Sequence, residues 1–98
     1  MRNKHYVVVY DVTDNKRRKR LSKWLLNFAY RVQGSVFEMS CDERTLTIVL
    51  DGIHGCLNKD EDSALIYGLD ADDWKKSIAI GVKKVESNIY EENFAILD

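Results

Sequence analysis

Apolar positions recur along this chain with two periods, and the switches between them mark out its elements. Tyr6-Val7-Val8-Val9-Tyr10 is an unbroken run of β-branched and aromatic residues. Such a run reads as a strand buried on both faces, here over residues 5–12, and it delivers Asp11 to the point where the chain returns to solvent. The period then lengthens. Leu21, Trp24, Leu25 and Phe28 follow the i, i+3, i+4, i+7 stripe of a helix packed on a sheet, which predicts a helix over about 14–29. Thr13 or Asp14 supplies its cap, since either side-chain oxygen can accept from a free amide of the first turn.

Residues 31–40 read as extended, with alternation from Ser35 onward. Gly34 is either a bulge or the break between two short strands of a tight hairpin, and the residues alone leave both readings open. Asp42 caps a second helix over about 43–57, with Leu46, Val49, Leu50, Ile53 and Leu57 on one face. A polar connection at 58–62 leads into a second strongly apolar strand at 63–69 and an acidic loop at Asp70, Asp72 and Asp73. Residues 77–82 read as a short strand, 83–92 as a polar connector and 93–97 as a final strand.

This order suits an α+β sandwich with both helices on one face of an antiparallel sheet. The strands at 6–10 and 64–69 are apolar at positions of both parities, so the face without helices needs a cover. A homodimer packed sheet on sheet is the economical one. The C-terminal strand is expected to cross to the partner and seal an edge there.

Composition keeps this picture to one domain, residues 1–98, with 83–98 as a C-terminal extension. A chain of 98 residues, 45% hydrophobic and without proline, can bury about 60–65% of its unfolded surface. No run approaches the roughly 20 apolar residues of a membrane span. The charged start MRNKH leads straight into a strand rather than a signal-peptide core, and the expected location is the cytoplasm. Cys41 and Cys56 stand in no metal or redox spacing and read as reduced thiols. His5 and His54 lie far apart and read as structural or surface residues.

Charge changes the picture more. Residues 1–34 carry nine Lys/Arg against two Asp/Glu, and residues 35–98 carry six against 14, so a net charge of −1 conceals a basic N-terminal half. Such a half suits a polyanion, and the acidic remainder limits non-specific binding. Lys16, Arg17, Arg18, Lys19 and Arg20 open the first helix, where they oppose its dipole at about 0.3–1 kcal/mol for each charge near the terminus. A local conflict of this kind often marks function.

Tyr10-Asp11-Val12, the arginine-rich helix and the block Arg31-Val32-Gln33-Gly34-Ser35-Val36-Phe37-Glu38 together resemble the CRISPR-associated Cas-two family, which is related to the VapD toxins. The resemblance covers about residues 5–82. Either motif alone is a weak signal, since a hydrophobic strand ending in Asp is common; the two in this order are specific. The resemblance implies a ferredoxin-like fold, a homodimer and a role with the Cas-one integrase in capturing spacer DNA, and many relatives are metal-dependent nucleases of single-stranded RNA or duplex DNA. Asp11 matches the strand-end aspartate that would be catalytic and would bind magnesium, or manganese, opposite its symmetry mate. Tyr10, Arg18, Arg20, Arg31 and Phe37 match positions used around that site, and Arg17 stands beside them. The arginines would contact nucleic acid, while Tyr10 and Phe37 would support the site or the dimer interface. Gly34 departs from the pattern, because relatives often carry a larger residue there.

The chemistry agrees in part. Magnesium takes oxygen ligands and keeps several waters, so two Asp11 carboxylates meeting across a twofold axis could form one site. No histidine near the motif supplies a general base, and Asp14, the other nearby acid, reads as the helix cap. Three functions follow: a spacer-acquisition subunit that bridges duplex DNA without reading sequence, a magnesium-dependent endonuclease centred on Asp11, and a VapD-like RNA-cleaving toxin. The first two combined are the expected function.

Overall fold

The computed structural model describes residues 2–69, 77–81 and 94–97. Strand β1 (Lys4–Asp11) carries the chain into helix α1 (Asn15–Leu25), the hairpin β2 (Ala29–Gln33) and β3 (Val36–Cys41), helix α2 (Glu43–Cys56) and strand β4 (Ser63–Gly68). Strands β5 (Ser77–Gly81) and β6 (Phe94–Leu97) complete one sheet in the order β2-β3-β1-β4-β5-β6. The first five strands pair antiparallel, and β6 adds in parallel to β5. The βαββαβ order with β1 at the centre is the ferredoxin-like α+β arrangement. The acidic loop at 70–73 and the connector at 83–92 lie outside the described residues. The expectation that residues 83–98 pair with a partner's sheet concerns a second chain; within this one, β6 lines its own β5 edge.

The pleat of β1 sorts its residues by parity. Tyr6, Val8 and Tyr10 are buried, and with Phe37, Met39, Cys41, Ala64, Ile66 and Ile80 they meet Leu21, Leu25, Val49, Ile53 and Cys56 of the two helices. Val7 and Val9 point the other way and are only half-buried. Register extends this second face across the sheet. One row runs Tyr30, Glu38, Val7, Tyr67, and the next runs Val36, Val9, Leu65. A single chain therefore buries one face of β1, not both.

Both helices start on aspartate. Asp14 accepts from the Arg17 amide at 2.9 Å, and Asp42 from the Thr45 amide at 2.8 Å, each satisfying a first-turn donor that has no partner within its helix. Helix α1 is shorter than its apolar stripe predicts. It ends at Leu25, and tight i→i+3 bonds from the Asn27 and Phe28 amides turn the chain so that Ala29 already pairs with Met39. Phe28 keeps its place in the stripe from this turn, set edge-on against Trp24 at 4.9 Å.

The structure also settles the reading at Gly34. Two strands flank a Gly34-Ser35 turn in which Gly34 has φ of 39°, the left-handed region that short hairpin loops need and glycine enters at little cost. A register shift between Arg31 and Gln33 adds an irregularity just before the turn. The Tyr10 amide donates to the Ser35 carbonyl at 3.1 Å, fastening the turn to β1.

Helices α1 and α2 touch through Trp24, whose Nε1 donates to the Val49 carbonyl at 3.1 Å while its indole lies over Gly52. A Cβ at Gly52 would stand 2.0–2.3 Å from three indole atoms. Gly52→Ala is therefore expected to destabilise the fold by about 1–3 kcal/mol through overpacking, despite alanine's better helix propensity; the midpoint of urea unfolding measures it.

Candidate functional site

Helix α1 runs back across the sheet from the end of β1, so residues one turn into it stand over the C-terminal end of that strand. Arg18, Lys19 and Ser22 form one wall of a groove of about 580 Å³; Tyr10, Arg31, Gly34 and Ser35 form the other. Arg18 donates from Nη1 to the Val12 carbonyl at 3.0 Å and from Nη2 to Asn15 Oδ1. Arg31 reaches across from β2 to donate to Ser22 Oγ, and its guanidinium lies 5.1 Å from the centroid of the Phe37 ring. Phe37 is fully buried and stacks on Tyr10 at 6.0 Å. The two aromatic residues thus form the floor beneath Arg31, on the helix-covered side of the sheet. Cationic heads above an aromatic floor, held by neutral groups, make a surface suited to backbone phosphates.

The other two predicted arginines point elsewhere. Arg20 is exposed, outside the groove lining, and its charge acts on Cys56 at the end of α2. Arg17 turns to the loop before β4, where Nε donates to Asp62 Oδ2 at 2.7 Å and Nη2 to Asp62 Oδ1 at 3.3 Å and to Glu61 Oε2 at 3.1 Å.

Asp62 is the residue that sequence reasoning passed over inside a polar connection. It is fully buried. Besides Arg17 it accepts from the Asn58 amide at 2.9 Å and the Thr13 amide at 3.4 Å, so each carboxylate oxygen receives two donors. Burial pushes its carboxyl up, but the Arg17 guanidinium and the Asn58 and Thr13 amides outweigh burial and hold it below the ordinary 3.8. The only signal in the sequence is a third acid abutting an apolar strand, and two of its three partners, Arg17 and Thr13, lie 45 and 49 positions away. Ser22 was likewise found only by the groove it lines.

Asp11 stands apart from this groove. It is exposed at the end of β1 opposite Ser63, and the alternation that buries Tyr10 sets Asp11 on the uncovered face. Among the described residues, no three side chains of His, Cys, Asp and Glu gather to hold a metal ion. Asp11 offers magnesium a carboxylate at this strand end, which fits the ion's preference for oxygen ligands. Cys41 and Cys56 are free and buried, their thiols pushed up by burial. No helix among the described residues is long and apolar enough to cross a membrane.

Comparison with known proteins agrees with this architecture. The model of the family described as CRISPR associated protein Cas2 matches residues 4–77. A Thermus thermophilus protein named CRISPR-associated endoribonuclease Cas2 is 36% identical over 69 residues, 70% of this chain and 73% of its own. A Synechocystis protein named CRISPR-associated endoribonuclease Cas2 2 is 44% identical over 68 residues, 65% of this chain and 70% of its own. Among solved structures, Streptococcus pyogenes Cas2 superposes with a TM-score of 0.65 at 26% identity, covering 69% of this chain and 88% of that one. The hypothetical protein TT1823 from Thermus thermophilus superposes with a TM-score of 0.68 at 35% identity, covering 70% and 84%. The chain belongs to the Cas2 family of CRISPR-associated nucleases.

The lowered carboxyl of Asp62 links stability to pH. Its contribution is complete above the unfolded value near 3.8 and is lost as pH falls through the lower folded value. Asp62→Asn is expected to cost about 1.5–3 kcal/mol at neutral pH. The gap between variant and parent should close below about pH 4, as read from unfolding midpoints across pH 3–7. Asp14 and Asp42, held low by the amides they cap, titrate in both proteins and drop out of the difference.

Proposed function

We propose that the protein is a CRISPR adaptation subunit that works as a homodimer with the Cas-one integrase, binds duplex DNA, and is a magnesium-dependent endonuclease of single-stranded RNA or duplex DNA. The observation that carries this reading is the division of β1. Tyr10 serves the phosphate groove on one face, while Asp11 serves the uncovered face on the other.

That face supports the homodimer. Val7, Val9, Val36, Leu65 and Tyr67 are only half-buried on it, and a second copy seated there would remove them from water. An isologous pairing gives each Asp11 a symmetry mate, and the resemblance to the Cas2 family implies that these two carboxylates face each other. The two carboxylates would hold a magnesium ion, which would supply Lewis acidity to phosphodiester cleavage. Arg18, Lys19 and Arg31 bind the backbone through its charge, which fixes position without reading sequence, and Arg20 extends the basic surface along α1. The names of the curated relatives, endoribonuclease and endonuclease, support phosphodiester cleavage as the reaction.

A second reading has its own observation. Asp11 does not line the groove, so a duplex could lie along the arginines without meeting the acid, as in a purely architectural DNA bridge. A VapD-like toxin would instead cleave RNA and arrest growth with no integrase in attendance.

Cleavage of labelled single-stranded RNA and duplex DNA with and without magnesium separates these. Asp11→Ala is expected to abolish cleavage while folding, dimerisation and duplex binding persist. Binding by both proteins with cleavage by neither would establish the architectural bridge, and cleavage surviving in Asp11→Ala would refute the site.

A further inference from the structure

The first turns of α1 present five cations in a row, yet the fold treats neighbours differently. Arg18 and Arg31 are held by a backbone carbonyl, an amide oxygen, a hydroxyl and an aromatic face. A phosphate can replace such neutral partners and leave nothing charged behind. Arg17 is held by a fully buried carboxylate. Drawing Arg17 away to a phosphate would leave Asp62 charged, buried and short of two of its four donors, which is the costly way to break an ion pair.

Resting on the phosphate-groove reading above, we infer that Asp62 is a positioning residue that withholds Arg17 from nucleic acid and so sets which cations the groove offers. Its bond to the Thr13 amide adds a second role. Thr13 lies between Asp11 and the helix cap Asp14, so one carboxylate ties the strand end, the first turn of α1 and the loop before β4 together. The arginine adjacent to the groove becomes part of its frame. Contact with phosphate is left to Arg18, Lys19 and Arg31. Glu61, the other partner of Arg17, is exposed and contributes little by itself.

The test is the salt dependence of binding to a short duplex DNA, because each phosphate neutralised contributes about 0.9 to the slope of log K against log salt. A residue that merely holds the fold together does not change that slope in a folded protein. Arg18→Gln should flatten it by about 0.9 for each phosphate the arginine neutralises, whereas Arg17→Gln should leave it unchanged. Asp62→Asn should steepen it by a similar amount, since Arg17 is then released, and adding Arg17→Gln to Asp62→Asn should restore the parental slope. Circular dichroism confirms folding of each variant.

If Arg17→Gln flattens the slope as much as Arg18→Gln does, Arg17 is an ordinary phosphate ligand and the inference is overturned. A folded Asp62→Asn that keeps the parental slope would overturn it equally. If Asp62→Asn does not fold, the comparison of Arg17→Gln with Arg18→Gln decides alone. An unchanged slope in Arg18→Gln would instead overturn the groove reading on which the inference rests.

Discussion

The two-residue period of β1 is the constraint from which the rest of this structure follows. Because successive side chains of a strand point to opposite faces, burying Tyr6, Val8 and Tyr10 beneath two helices commits Val7, Val9 and Asp11 to the opposite face. The helix side then receives Phe37 and Arg31, which register places in the same row as Val8. The other side keeps its apolar rows half-covered and ends them in a carboxylate. A slip of one residue would exchange the two faces and place the acid in the core. The separation of acid from arginines is therefore a consequence of how the sheet is packed.

A second constraint acts at the junction that follows the strand. The turn from β1 into α1 carries a helix cap, a buried ion pair and the beginning of the basic run within seven residues, and Asp62 connects all three through Thr13 and Arg17. A carboxylate with four donors is restrained from four directions. Its charge is kept in the fold because Arg17 is close, and Arg17 is kept out of the groove because Asp62 is buried. Each member of the pair explains the other's position, which is why a count of cations overstates what the surface offers to a polyanion.

The outline of the fold was legible because its signals are local. The apolar run at 6–10, the i, i+3, i+4 stripes and the capping aspartates Asp14 and Asp42 each act within a few residues of themselves, and they placed four strands and both helices to within a few positions. The end of α1 was misjudged for a related reason: Phe28 satisfies the helical stripe from a turn, and the pairing of Ala29 with Met39 that ends the helix comes from another strand. The groove was legible in its residue types but not in its membership. Arg17, Arg18 and Arg20 are alike in sequence, but successive helix residues point about 100° apart, so Arg17 meets Asp62, Arg18 lines the groove and Arg20 lies exposed outside it. What sets Arg17 apart is a partner 45 positions away.

A magnesium site made from two chains is the central claim, and mixed dimers test it most directly. Parent and Asp11→Ala chains would be unfolded together and refolded at varied ratios, with the amount of parent chain held fixed, and magnesium-dependent cleavage measured. If both copies of Asp11 are needed, activity per parent chain falls in proportion to the fraction of parent chains, because only parent–parent dimers cleave. Activity per parent chain that is unaffected by added Asp11→Ala chain would show that one Asp11 is enough, and would contradict the shared site.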